Sequence, residues 1–188
     1  MRIENTKIYG LENAIRVAKF PMAVTTQDLT TEKSKSTDTL ASSNIGEGHD
    51  NFLNGIIVQF DLTATNKFWV EFQRYHFADF ISSQSTMHRI CKFDLDKSYC
   101  KYVDKEIIEI MKRKVEEYNE LSSSDEHKAE KYLEVLYSNP AGFELTAGIT
   151  TNYRQLKTMY LQRKDHRLPE WREFCAWIRS LPNAEWLI

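Results

Sequence analysis

Apolar and polar positions alternate loosely from Arg2 to Tyr9, which predicts a first strand, and then the period changes. Leu11, Ala14, Ile15 and Ala18 recur at helical spacing, so a short helix is expected from Leu11 to Phe20. Residues Gly55 to Leu62, GIIVQFDL, are rich in β-branched side chains and partly alternate, the pattern of a strand. Thr65 is placed to cap the helix that follows, where Phe68, Trp69, Phe72, Tyr75 and His76 repeat every three or four residues. The polar run Ser82-Ser83-Gln84-Ser85 breaks that helix, and Ile90 to Phe93 predicts a short extended piece.

Two amphipathic helices come next. Ile107, Ile108, Met111, Val115 and Tyr118 form one stripe after the potential cap Asp104. Ala129, Tyr132, Leu133 and Leu136 form another after Ser124 or Asp125, with Ser122-Ser123-Ser124 as the hinge between the two. Pro140 stops the second helix and Gly142 to Thr150 reads as a strand. Helical spacing returns from Asn152 to Arg163, and after a basic turn, Lys164 to Pro169, in a last helix carrying Trp171, Phe174, Trp177 and Ile178. Thr25 to Gly48 is the longest segment without periodicity and is expected to be either a mobile loop or a lid over a site. Few strands among many helices predict an α+β fold, as a single domain over residues 1–188.

Composition narrows the class. With 41% hydrophobic and 28% charged residues, the chain has the balance of a globular protein. A formal net charge of -2 gives no global argument for nucleic-acid binding. No run approaches the length of a membrane span, and the polar start MRIENTKIYG does not have the form of a signal peptide. Cys91, Cys100 and Cys175 are odd in number and lack CxxC spacing, which argues against a disulfide framework and predicts a cytoplasmic protein with free thiols.

The simpler chemistries find no support. The five histidines, His49, His76, His88, His127 and His166, show no close-spaced pair of the kind zinc sites use, so no metal is expected. No GxSxG elbow, P-loop or GxGxxG is present, and Gly46-Glu47-Gly48-His49 by itself reads as a turn. The cations Arg163, Lys164, His166, Arg167 and Arg172 form a basic cluster after a helix, which suits either a phosphate site or a solvated turn.

Several separated segments, taken in order, resemble the flavin-dependent thymidylate synthases. Gly48-His49-Asp50-Asn51-Phe52-Leu53 matches that family's GHxSxLEH-like turn. Laid down without a gap, the family's RHRxxSxNExSxRY motif falls on Tyr75 to His88. Asn152-Tyr153-Arg154-Gln155-Leu156 through Arg163 is similar to its NxRxLxxFxxLR helix, and Glu170-Trp171-Arg172-Glu173 to its QWExR segment. The resemblance implies a small antiparallel or mixed sheet packed against helices, and a homotetramer with ligands bound where subunits meet. It also implies reductive methylation of dUMP with FAD and methylenetetrahydrofolate.

Carried over position by position, the resemblance places His76, Asn152 and Arg154 on the flavin side and Ser85 and Arg163 on the nucleotide side. The motif's arginine positions hold Tyr75, Phe77 and Met87 instead, with Arg74 one residue and Arg89 two residues away from a lost arginine. Two readings are compatible with this pattern. In one, the chain is an enzyme that alkylates a pyrimidine nucleotide with FAD. In the other, it is a nucleotide-binding or oligomeric interaction protein on the same fold, with the FAD site gone.

Overall fold

The computed structural model describes residues 1–188 and is built on four antiparallel strands: β1 (Arg2–Tyr9), β2 (Ile57–Thr65), β3 (Ala78–Ser83) and β4 (Glu144–Asn152). Their order across the sheet is β1-β2-β4-β3. The helices are α1 (Leu11–Val17), α2 (Lys35–Ala41), α3 (Asn66–Phe72), α4 (Thr86–Arg89), α5 (Lys105–Glu120), α6 (Lys128–Ser138), α7 (Tyr153–Arg163) and α8 (Pro169–Ile178). This is the expected α+β class, with an entirely antiparallel sheet.

The central pair β2–β4 runs in unbroken register from Ile57 opposite Asn152 to Thr65 opposite Glu144. Strand alternation sends Val58, Phe60, Leu62 and Ala64 to one face together with Ala147 and Ile149 of β4. There they meet Phe68 and Phe72 of α3, Leu156 of α7, and Trp171 and Phe174 of α8, all fully buried. A second, smaller core of Ile90, Cys91, Leu95, Met111, Val135 and Phe143 lies under the α5–α6 hairpin. Gly10, between β1 and α1, has φ 78°, and a Cβ there would collide with the carbonyl oxygen of Gly55.

Side chains cap the first turn of three helices, two of them at the predicted Thr65 and Asp104. Thr65 accepts from the Phe68 amide, Asp104 from Glu106 and Asn152 from Gln155. At α6 the carboxylate of Asp125 accepts from the His127 amide at 2.8 Å, just before the helix proper.

Three expectations are corrected, and one segment gains an element. The aromatic helix ends at Phe72, not beyond His76, because Gln73 to Phe77 turn the chain into an edge strand. That strand, β3, escaped the pattern reading because Ala78 alone is buried along ADFISS. The segment from Thr25 to Gly48 contains α2, opened by a reciprocal Ser34–Thr37 capping box and docked through buried Thr37 and Ala41. Asp38 on the same helix accepts from Trp186 Nε1 at 2.8 Å, so contacts from distant residues order a stretch that has no periodicity of its own. Ile90–Lys92 is a 3-10 turn rather than an extended piece.

Candidate functional site

Strand β4 runs directly into α7, so the polar residues at this junction are fixed by the central, unbroken pairing of the sheet. Asn152 spends its side-chain oxygen on the Gln155 amide at 2.8 Å, as an N-cap. Arg154, in the first turn, donates Nε to Asp50 Oδ1 at 3.1 Å. Asp50 is fully buried, and its other oxygen accepts from Lys157 Nζ at 3.1 Å. Lys157 also donates to the carbonyls of Ala41 and Ser43, at 2.8 and 2.5 Å. One carboxylate therefore holds two cations, and Lys157 ties the C-terminal end of α2 to α7. The Arg154 side chain remains 30% exposed.

At the other end of α7, about 14 Å along the helix from Arg154, Arg163 is enclosed. Its Nε donates to the Tyr75 hydroxyl at 2.7 Å, and that hydroxyl donates to Gln162 Oε1 at 3.0 Å. The guanidinium lies over the Trp171 ring at 4.8 Å and places Nη1 3.7 Å from Glu71. Glu71 also accepts from Trp171 Nε1 at 3.0 Å and lies 3.5 Å from His166 Nε2. Burial opposes ionisation of Glu71. The hydrogen bonds from Lys67 and Trp171 and the nearby positive charge outweigh it and hold the carboxyl below its ordinary value. His166 Nδ1 accepts from the Leu168 amide, which leaves the ring proton on the nitrogen that faces Glu71.

His76 is exposed in the turn between α3 and β3. The turn is pinned where Thr151 Oγ1 donates to the Phe77 carbonyl at 2.6 Å. Ser85 precedes α4 at the far end of β3, with no side-chain cap bond. The strand alone separates His76 from Ser85 by about 17 Å. The five residues thus form no one cluster within a chain. His76, Asn152 and Arg154 gather at one end of β3 and β4, Arg163 packs against Tyr75, and Ser85 stands apart. None lines the larger clefts. A cleft of about 780 Å³ instead runs along α2, lined by Lys35, Asp38, Ser43, Glu47 and His49 among others.

Pattern reading missed Asp50, Lys157 and Glu71. A signal existed for Lys157, which takes the i+4 place in the buried stripe Tyr153, Leu156, Lys157, Tyr160. A lysine on an apolar stripe requires a buried acceptor. Nothing in the sequence identified Asp50 as that acceptor.

No protein-family model and no curated protein matches this sequence. Solved structures do. A flavin-dependent thymidylate synthase from Helicobacter pylori, complexed with FAD and dUMP, superposes with a TM-score of 0.71 at 14% identity, over 97% of this chain and 94% of its own. A second structure of the enzyme from that organism, also with FAD and dUMP, gives 0.72 at 13%, over 98% and 95%. The chain has the fold of the flavin-dependent thymidylate synthases. The likeness spans nearly the whole of both chains, so the α5–α6 hairpin and its small core belong to that fold as well. At this identity it describes the fold and leaves the chemistry to the residues present.

Those residues do not suit FAD. Its pyrophosphate carries two negative charges that need cations or free N–H groups. The two flavin-side motif positions supply a phenol and a phenyl ring in Tyr75 and Phe77, and Arg154 already shares Asp50. Each charge-assisted contact contributes roughly 1.5–3 kcal/mol, so losing two costs about 3–6 kcal/mol, or roughly two to four orders of magnitude in affinity.

Proposed function

We propose that this chain is a divergent member of the flavin-dependent thymidylate synthase family that has kept the scaffold as an oligomeric, nucleotide-binding protein and has lost the FAD site. The observation that carries the reading is Tyr75. It stands in place of a flavin-side motif arginine, with its ring packed against Trp171 at 5.7 Å and its hydroxyl bonded to Arg163 and Gln162, so a neutral, internally packed side chain fills the position of a phosphate-binding cation. In this reading Asn152 serves as a helix cap and Arg154 as the partner of Asp50, while His76 and Ser85 stay available to a ligand. A nucleotide ligand is supported by the dUMP that accompanies both Helicobacter structures. Self-association is supported by the open edge of β3 and its flanks, where Ile81 of the strand (60%), Phe77 just before it (64%) and Met87 of α4 (55%) are exposed. No helix is long and apolar enough to cross a membrane.

Calorimetric titration of the purified protein with FAD and with dUMP, beside an absorbance spectrum and a solution mass, tests the reading. The expected result is a colourless oligomer that binds dUMP and shows no FAD binding up to about 1 mM. A flavin absorbance band or FAD affinity of about 1 μM would restore the enzyme reading. Absence of dUMP binding would remove the nucleotide half of the proposal, and a strict monomer the oligomeric half.

A further inference from the structure

The core helices α3, α7 and α8 lie against one face of the sheet, the face to which Val58, Phe60 and Leu62 point. The opposite face has no such cover. Along the central strands it presents Ile57, Gln59, Asp61 and Thr63 of β2 and Thr146, Gly148, Thr150 and Asn152 of β4, none of them buried. A sheet face left in water is usually polar, and this one is. Yet only Asp61 among these residues is charged, in a chain with 28% charged residues. Depletion of charge is what the centre of an interface shows. Gly148 lies in the middle of the face. A Cβ there would be 3.7 Å from Asp61 Oδ1 and 3.8 Å from Ile81 Cβ, so the position has room for a side chain and carries none. Four strands of this length cover roughly 19 by 30 Å, or about 600 Å² in plan. With its side-chain relief the face is of the order of the roughly 800 Å² per partner that a standard interface buries.

Two charges at its edges complete the picture. Arg2 pairs with Glu4 at 2.7 Å, and Asp61 accepts from Asn5 Nδ2 at 2.6 Å. Lys7 on β1 and Asp79 on β3 have no ion pair and no side-chain hydrogen bond within the chain. The register sets them level, since Lys7 is opposite Gln59, Gln59 opposite Thr150, and Thr150 opposite Asp79. Three strand spacings, about 14 Å, keep them apart in one molecule. A two-fold axis along the strands, between β2 and β4, lays β1 of each copy over β3 of the other at the same level. Lys7 then faces the partner's Asp79, and the exposed ring of Tyr9 faces the partner's Phe77. Thr63 meets the partner's Thr146, and Asp61 meets the partner's Gly148, where no side chain stands in its way. Packed sheets cross at about 30°. At about 7 Å from the axis this displaces the edge strands by about 4 Å, or roughly one residue, which a lysine side chain spans. An axis across the strands would instead set β3 on β3, which has no cation to offer Asp79.

We infer that a second copy of this chain docks on this face, sheet against sheet about that two-fold axis, with reciprocal Lys7–Asp79 pairs fixing the register. The inference rests on the oligomeric half of the function proposed above and names the surface it uses.

Sedimentation equilibrium on the full chain tests it. Wild type should be an even-numbered oligomer. Gly148→Gln fits the single chain and wedges the two sheets apart, so it should halve the mass and leave the circular dichroism spectrum unchanged. Lys7→Glu and Asp79→Lys, both at exposed side chains, should each raise the dissociation constant at least about tenfold. The variant carrying both exchanges should return to within about threefold of wild type. This charge exchange reads the interface independently of how Gly148→Gln folds. A strict monomer in the wild type overturns the inference together with the oligomeric reading. An oligomer that keeps its mass in Gly148→Gln, or whose double exchange is as weak as the single ones, leaves that reading standing and overturns this one, because association then uses another surface such as the edge of β3.

Discussion

Replacing Lys157 with methionine should be among the most damaging single substitutions in this protein. The side chain is 6% exposed and joins three groups: the fully buried Asp50 and the carbonyls of Ala41 and Ser43. Methionine fills similar volume, so little cavity is created and the loss is mainly electrostatic. Asp50 keeps Arg154 and loses its better-buried cation, while two carbonyls at the end of α2 lose a charged donor. Breaking a buried pair in this way costs about 3–5 kcal/mol. With a urea slope of about 2 kcal/mol per molar, the unfolding midpoint should fall by roughly 1.5–2.5 M. Arg154→Met, at a side chain 30% exposed, should cost clearly less. The Asp50→Asn, Lys157→Met double variant should lose less than the sum of the single losses, because both remove one interaction. Proteolysis should also reach Ser42 to Gly48 in Lys157→Met before the rest of the chain opens. A loss below about 1 kcal/mol, or a larger loss for Arg154→Met, would refute the view that Lys157 is the latch.

Other substitutions test other links. Tyr75→Phe removes the hydroxyl between Arg163 and Gln162 and should lower stability by about 1.5 kcal/mol, with an altered Trp171 fluorescence; a rise in dUMP affinity measured by calorimetry would show that Tyr75 had been withholding Arg163. Glu71, with its carboxyl held below the ordinary 4.5, contributes stability that is fully present above that value and lost as pH falls through the folded pKa. Thermal melts of wild type and Glu71→Gln should therefore differ most at neutral pH and converge in acid. Glu144 has the opposite sign, since its raised value penalises the ionised form in the folded chain, so Glu144→Gln should melt no lower than wild type at pH 7. Gly10→Ala, at φ 78° and against the Gly55 carbonyl, should cost more than about 1 kcal/mol in a urea melt.

Loss of FAD and retention of the fold are physically compatible. The core depends on apolar area from Phe68, Phe72, Trp171 and Phe174, none of which is at the motif's arginine positions. Tyr75 rests its ring against Trp171 at 5.7 Å and satisfies its hydroxyl on Arg163 and Gln162, so the altered motif is packed into the protein.

The sequence by itself determined the elements whose order comes from local chemistry. The alternation of β2, the stripes of α5 and α6, and the caps Thr65 and Asp104 are properties of neighbouring residues, and each formed where its pattern placed it. The order of motif segments along the chain likewise points to the fold. Only the tertiary structure decided the rest. Strand β3 exists because β4 offers it a partner, not because ADFISS alternates, and α2 is held by Lys157 and Trp186 from more than a hundred residues away. The site residues show the same division. Their identities are written in the chain, but whether an arginine is free for a ligand depends on which groups folding brings beside it. Here folding brings Asp50 to Arg154 and Tyr75 to Arg163.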